Sequence, residues 1–385
     1  MKTLKINHFG PVDELDITLG DLTLFVGPQA SGKSLVLQLI KLITDRKHIR
    51  KTLEQYGFSW GSDEGAILNR YFGEGMAAVW NDKTKLVIDG KTIDKNILLP
   101  KQRENIKDAT EKLFYIPAQR VICLQEGWPR FFTAYEDSVP YVLRHFSEAI
   151  RLFMEASYGK YSDSVFPKPQ NLKSPLRAAF NKSIFHDGII KLDTLGKKRF
   201  MLEIGNSMLP YLTWSAGQKE FMPMLLSFYY LCPASRSARK DDVKFVVIEE
   251  PEMGLHPQAI IAITLQVIDL LSRDYKVIVS THSPVMLEFA WAFQFLKEAK
   301  LKEDALYKLF NLKKSEPLNR LFDGIIQNKT IHSFAFTQSD SGIKVKDIST
   351  LDAGSADPDI AEWGGLSSFS SRASDIISKT VTNLE

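Results

Sequence analysis

The sequence predicts an α/β protein with a mainly parallel core sheet, an antiparallel β extension and a helical insertion lobe. Three observations carry this expectation. The apolar run Leu22-Thr23-Leu24-Phe25-Val26 leads into a glycine-rich loop and then a helical pattern, the first half of a βαβ unit. Two more short apolar runs, Phe245 to Ile248 and Val277 to Val279, are rich in β-branched residues, as strands buried on both faces of a parallel sheet are. Between them, Ala259 to Leu271 has the length and spacing of a crossover helix.

In chain order, residues 3 to 26 alternate as strands through Leu4, Ile6 and His8 and again through Leu15, Ile17 and Leu19. After Ser34, the positions Leu35, Val36, Leu39, Ile40, Leu42 and Ile43 fall on one helical face. Residues 45 to 110 mix polar residues with strand-like pieces such as Lys85 to Ile88, closed by an Asp89-Gly90 turn signal, and are expected to form the antiparallel extension. Residues 136 to 157 read as an amphipathic helix, followed by a loop punctuated by Pro167, Pro169 and Pro175. Strand character returns at 188–192 and 199–204, and a helix is expected after Gly217. The last 60 or so residues are rich in Ser, Gly, Asp and Lys and show no repeat.

With 385 residues the chain has ample length for a large core, and 44% hydrophobic against 25% charged residues excludes a disordered chain. Forty-nine basic residues against 46 acidic leave a charge of +3, so the overall electrostatics do not announce a nucleic-acid binder. Cys123 and Cys232 fit neither a disulfide framework nor zinc-ligand spacing and read as small apolar residues. No signal-peptide pattern opens the chain and no run approaches the roughly 20 apolar residues that cross a bilayer, so no membrane association and a cytoplasmic location are expected.

Four motifs carry chemistry. Gly27-Pro28-Gln29-Ala30-Ser31-Gly32-Lys33-Ser34 is the phosphate-cradling loop pattern, met at every fixed position. Its backbone N–H groups can curl around a polyphosphate, Lys33 can bridge phosphate oxygens, and Ser34 can offer a hydroxyl to Mg²⁺. The strand at 245–248 ends in Glu249-Glu250, whose side chains point to opposite faces, so one carboxylate can hold a metal while the other polarises water. The strand at 277–279 ends in Ser280-Thr281-His282-Ser283, placing His282 on the edge where α/β sheets bind ligands. Trp214-Ser215-Ala216-Gly217-Gln218-Lys219-Glu220 opens a helix with small residues, which alone is only an N-cap signal.

Taken in this order, the motifs resemble the ABC-type P-loop ATPase superfamily, and within it the compact heads related to SMC proteins, OLD nucleases and AAA ATPases of bacterial defence systems. The resemblance rests on a Walker A at 27–34, a signature-like Ser215-Ala216-Gly217-Gln218, a Walker B at 245–250 followed by a D-loop-like Gly254-Leu255-His256-Pro257, and a switch His282. It implies ATP and Mg²⁺ as ligands, held by residues 27 to 34, with Ser215, Gly217 and Gln218 closing over the nucleotide of a second copy. Glu250 and His282 are the implied catalytic residues, and Ser34 and Glu249 the metal ligands. Gln119, in Tyr115-Ile116-Pro117-Ala118-Gln119-Arg120, is the candidate Q-loop residue for nucleotide and metal; read alone it is an ordinary exposed loop glutamine. The chain departs from the family where Glu249 replaces the usual aspartate and where Trp214-Ser215-Ala216-Gly217 replaces Leu-Ser-Gly-Gly.

Because these motifs must converge on one site, residues 1–385 are expected to form a single interrupted ATPase domain. It comprises an N-terminal lobe 1–120, a mainly helical insertion 121–200, a stretch 201–300 with signature, Walker B and His282, and a C-terminal extension 301–385. The leading functional expectation is an ATPase that pairs as a homodimer or higher homo-oligomer around ATP and regulates a separately encoded effector, a nuclease or toxin, in anti-phage defence. A DNA-acting repair or chromosome-associated ATPase and a transporter nucleotide-binding subunit are the alternatives. DNA as partner would have to use the clusters Lys101-Gln102-Arg103, Arg236 to Lys240 or Lys297 to Lys314, each flanked or interleaved with acids. Asp357-Pro358-Asp359 reads as loop rather than as a nuclease centre.

Overall fold

The computed structural model describes residues 1–100, 104–158, 164–194, 197–233, 240, 242–300 and 304–382. The chain opens with a β-hairpin, β1 (Thr3–Phe9) and β2 (Val12–Thr18), followed by β3 (Leu22–Val26) and the long helix α1 (Lys33–Gln55). Next come α2 (Glu64–Phe72), β4 (Trp80–Ile88), β5 (Lys91–Ile93) and β6 (Leu113–Ile116). Residues 45 to 72, expected as antiparallel sheet, are thus largely helical; Ile49 and Leu53 extend the buried face of α1 beyond a kink at Asp45. The antiparallel extension is formed by β1, β2, β4 and β5.

The region 121–200, expected to be mainly helical, holds α3 (Tyr141–Ser157) and α4 (Ser174–Phe180) after a small hairpin of β7 (Leu124–Gln125) and β8 (Trp128–Pro129). Pro175, placed in a loop by the sequence, sits in the first turn of α4, where its missing N–H has no intrahelical partner to lose. The lobe also contains an antiparallel sheet of β9 (Ser164–Phe166), β10 (Ile189–Asp193), β11 (Arg199–Ile204) and β12 (Ser207–Pro210). There follow α5 (Ala216–Leu231), β13 (Phe245–Glu249), α6 (Pro257–Ser272), β14 (Lys276–Ser280) and α7 (Pro284–Glu298). Three short helices, α8 (Asp304–Leu309), α9 (Glu316–Phe322) and α10 (Ile325–Asn328), precede the hairpin β15 (Ile331–Ser339) and β16 (Gly342–Asp347), and α11 (Pro358–Ala361) and α12 (Ser368–Thr382) end the chain.

The main sheet has ten strands in the order β5-β4-β1-β2-β16-β15-β3-β14-β13-β6. Strands β15, β3, β14, β13 and β6 are mutually parallel. Alternation sends successive residues of these strands to two cores. Phe25, Tyr115, Val247 and Ile278 pack with α1, while Leu24, Ile116, Ile248 and Val279 pack in the core that holds α5, α6 and α7. The strand residues are buried on both faces, which explains the uninterrupted apolar runs.

The β15–β16 hairpin is the element the sequence did not announce. Strand β15 pairs in parallel with β3, and β16 in parallel with β2, so the hairpin joins the parallel core to the antiparallel extension. The stretch that reads as a polar C-terminal extension therefore supplies two strands of the main sheet.

Candidate nucleotide-binding and active site

Register places the motif residues on one edge. Glu249 pairs with Ser280, Ser280 with Phe25, and Ile248 with Ile116, so Gly27, Pro117, Glu250 and Thr281 all leave the sheet from the carboxyl ends of neighbouring strands. The loop after β3 is shaped by its glycines. Gly27 has φ 139°, and a Cβ there would come within 2.4 Å of the Phe336 carbonyl oxygen on β15. Gly32 caps α1 in the left-handed region, and no side chain caps the helix. The first N–H groups of α1 are thereby left for an anion. Ala30 also has positive φ, and Ser31 closes the loop by donating to Pro28 O at 2.8 Å.

Lys33 is buried, and its Nζ donates to Gly27 O at 3.0 Å, Pro28 O at 2.7 Å and Ser31 Oγ at 3.2 Å. Burial lowers its pKa, opposed by the charges of Glu250, Glu252 and Glu249. Those carboxylates are the other half of the site. Glu249 is only 4% exposed, and its Oε2 accepts from the Ala118 N–H at 3.2 Å. Its Oε1 has no hydrogen-bond partner, and the hydroxyls of Ser34 and Tyr115 face the carboxylate. Burial raises its pKa, with the neighbouring Glu250 adding to the effect. A buried carboxylate oxygen with no partner, beside an exposed serine hydroxyl at a helix N-terminus, fits a Mg²⁺ ion that completes its shell with phosphate and water. Among the described residues no group of three or more His, Cys, Asp or Glu side chains could hold a metal by itself.

Glu250 has φ 42°, an uncommon value for a residue with a Cβ, and its N–H donates to Ser280 O at 2.8 Å. Its Oε1 lies 3.6 Å from Nε2 of His282. The His282 ring beside it, helped by the charges of Lys33 and Arg120, holds the Glu250 carboxyl below its usual range against partial burial. His282 donates its backbone N–H to the carboxylate of Glu252, which the Thr281 hydroxyl also faces and which burial pushes up.

Gln119 is exposed in the turn after β6, one residue from the Ala118 N–H that binds Glu249. Ser215 is the exposed N-cap of α5 in a reciprocal capping box with Gln218: Gln218 N–H donates to Ser215 Oγ at 3.3 Å, and Ser215 N–H to Gln218 Oε1 at 3.1 Å. Gln218 also donates to Ile184 O at 3.2 Å. A Cβ on Gly217 would lie 2.8 Å from Gly254 O, so the signature packs against the D-loop-like segment. Among the described residues, no side-chain hydrogen bond joins Ser215 or Gln218 to residues 27–34 of the same chain.

Residues 205–288, which span Ser215, Glu249, Glu250 and His282, match the family model described as “AAA domain, putative AbiEii toxin, Type IV TA system”. Over those residues the chain is similar to an AAA-type domain. Among solved structures this chain is similar to an SMC head bound to the C-winged helix domain of ScpA, with 12% identity, 90% of this chain and 96% of that chain covered, and a TM-score of 0.41. It is also similar to the SMC head domain from Thermotoga maritima, with 12% identity, 90% and 98% covered, and a TM-score of 0.37. A third similarity is to cbiO1 from Clostridium perfringens, part of an ABC transporter complex, with 12% identity, 73% and 79% covered, and a TM-score of 0.31. No curated protein matches the chain.

Two polar residues of the site escaped the sequence reading. Glu252 receives the His282 N–H, and Arg120 lies fully buried between Walker B and α5. The only signal of either was adjacency, Arg120 to Gln119 and Glu252 to the Glu249-Glu250 pair. Asp357 and Asp359 both bind Lys346, and Asp357 caps the single turn of α11. Lys101, Gln102, Arg103 and Arg236 to Arg239 lie outside the described residues. Lys297 donates to Lys329 O and Lys314 pairs with Asp304. Burial pushes the Cys123 thiol up to about 12, and Cys232 is likewise buried and free. Among the described residues no helix is long and apolar enough to cross a membrane.

Proposed function

We propose that the chain is an ATPase whose catalytic unit is a head-to-tail pair of identical copies. The observation that supports this best is the division of the motifs. Walker A, Glu249, Glu250 and His282 meet on one sheet edge, whereas Ser215 is exposed and, among the described residues, its side chain bonds only within its own helix start. A signature that faces solvent can complete a second copy's site.

In this reading the uncapped N-terminus of α1 and Lys33 bind the β- and γ-phosphates, and Lys33 exchanges its loop carbonyls for phosphate oxygens. Ser34 and Glu249 hold Mg²⁺, with Gln119 beside them; the ion, when bound, neutralises charge developing on the phosphates. Glu250, kept ionised, accepts the proton of the attacking water, and His282 orients Glu250 and meets the γ-phosphate. Ser215 Oγ and the close backbone approach at Gly217 serve the phosphate of the partner copy. Phosphate release tests the chemistry: Mg²⁺-dependent turnover is expected in the wild type, reduced at least about 100-fold in Lys33→Ala and in Glu250→Gln. A wild type with no Mg²⁺-dependent turnover contradicts the reading.

The biological role proposed is regulation of a separately encoded toxin or nuclease in anti-phage defence. It is supported by the family that residues 205–288 match, described as a putative AbiEii toxin of a Type IV TA system. Nucleotide-dependent co-purification of the adjacent gene's product with the head is expected; co-purification that ignores nucleotide, or none, contradicts it.

A further inference from the structure

Arg120 is 0% exposed in the turn after β6. Its Nη1 donates to Glu249 O at 3.0 Å and Pro117 O at 3.4 Å, its Nη2 to Glu250 O at 3.2 Å, and its Nε to Glu220 O at 3.1 Å. Nη2 also lies 3.7 Å from Glu220 Oε2. Burying a guanidinium is unfavourable unless its donors are met, and here four carbonyls accept from it, with the Glu220 carboxylate nearby. The partners lie on two elements that matter to the reaction. Two carbonyls flank the peptide that presents Glu250, the residue held at φ 42°. Glu220 lies on α5, little more than a turn from the Ser215 cap. A rigid helix thus connects the exposed signature to the fork, and the fork connects to the catalytic carboxylate.

We propose that Arg120 is a positioning residue that latches the Glu249–Glu250 peptide to the signature helix, so that engagement of Ser215 with a second copy's nucleotide is carried through α5 to Glu250 of the same chain. This rests on the ATPase reading above. It gives each site in the pair a report of the other: a copy aligns its own base only when its signature has found a nucleotide. Arg120 contacts neither nucleotide nor water in this scheme. A lysine keeps the charge but cannot hold Glu249 O, Glu250 O and Glu220 O at once.

The test compares Arg120→Lys, Glu220→Gln and the double variant by kcat, Mg²⁺–ATP affinity and melting temperature. In Arg120→Lys, kcat is expected to fall at least about 10-fold while ATP affinity stays within about 3-fold, the pattern of lost transition-state alignment. Glu220→Gln keeps the carbonyl partners and removes only the carboxylate, so kcat is expected to fall less, and the double variant to be no worse than Arg120→Lys alone. Turnover of folded Arg120→Lys within about 2-fold of wild type, affinity and kcat falling together, or strictly additive effects would each overturn the latch. If Arg120→Lys does not fold, Glu220→Gln decides, and an unchanged kcat overturns the proposal. Wild-type turnover measured in parallel separates the failures. Its absence contradicts the ATPase reading and this inference together, whereas its presence with unaffected variants contradicts the latch alone.

Discussion

Oε1 of Glu250 and Nε2 of His282 stand 3.6 Å apart across the ends of β13 and β14. The pairing of Glu249 with Ser280 sets this spacing, and the Glu250 N–H to Ser280 O bond fixes it. The nearby His282 ring and the charges of Lys33 and Arg120 hold the Glu250 carboxyl below its usual range. It is therefore ionised throughout the neutral range, and the interactions favouring it weaken only as pH falls through its lowered pKa. The acid limb of kcat is expected below the ordinary glutamate value of about 4.3, and in His282→Ala it should move upward as the rate drops. An acid limb that stays in place in His282→Ala contradicts this pairing.

Glu249 has one anchored oxygen, on Ala118 N–H, and one without a partner. Shortening the side chain should withdraw the free oxygen from the space beside Ser34 while the strand stays intact. In Glu249→Asp the Mg²⁺ concentration for half-maximal hydrolysis should rise about 10-fold, with smaller changes at saturating Mg²⁺. An unchanged Mg²⁺ titration would remove Glu249 from the metal site.

Two glycines should fail in different ways. Gly27→Ala would force a side chain to φ 139° and to 2.4 Å from Phe336 O, so at least about 2 kcal/mol of stability should be lost, read from denaturant midpoints. Gly217→Ala meets Gly254 O at 2.8 Å at the exposed start of α5. It should cost less stability than Gly27→Ala, because Gly217 does not have a positive φ, yet no longer pair on ATP. Equal stability losses in the two variants would contradict the separate roles.

His48 and His145 form a second titrating centre away from the motif-bearing sheet edge. Burial is the main cause that lowers them, to about 4 and about 3 respectively. His48 faces His145, Glu111, Lys41 and Asp45; His145 faces Lys41, Asp45 and Glu148, and its ring stacks on Tyr141 at 5.3 Å. Their native pKa values lie below the unfolded value of about 6.5, so the unfolded chain takes up protons first as the solution is acidified. The stability they contribute is present above that value and is lost as pH falls from about 6.5 toward 4. Melting temperature should drop between pH 7 and pH 5, and the drop should be smaller in a His48→Gln/His145→Gln protein. Parallel curves for the two proteins would contradict this origin.

The motif-bearing sheet edge was legible because each of its strands is buried on both faces and ends in a chemically distinctive residue. The runs ending at Val26, Ile248 and Val279 need no tertiary information to be read as parallel strands. Strand β15 was not legible in the same way. His332, Ser333, Thr337 and Gln338 interrupt Ile331, Phe334 and Phe336, and its partner β3 lies more than 300 residues away. Arg120 was missed for a related reason. Its partners are mostly backbone carbonyls, which leave no mark on the side-chain sequence. Gln218 shows the converse: the motif names it, but the structure engages it in a capping box and a bond to Ile184.

The central claim is that ATP joins two copies through P-loop and signature. Light scattering on the Glu250→Gln protein, with and without Mg²⁺–ATP, tests it most directly. The account expects monomer mass without nucleotide, twice that mass with ATP, and monomer again when Ser215→Arg is added to the same protein. Monomer mass at saturating ATP, or a dimer indifferent to both ATP and Ser215→Arg, would contradict it.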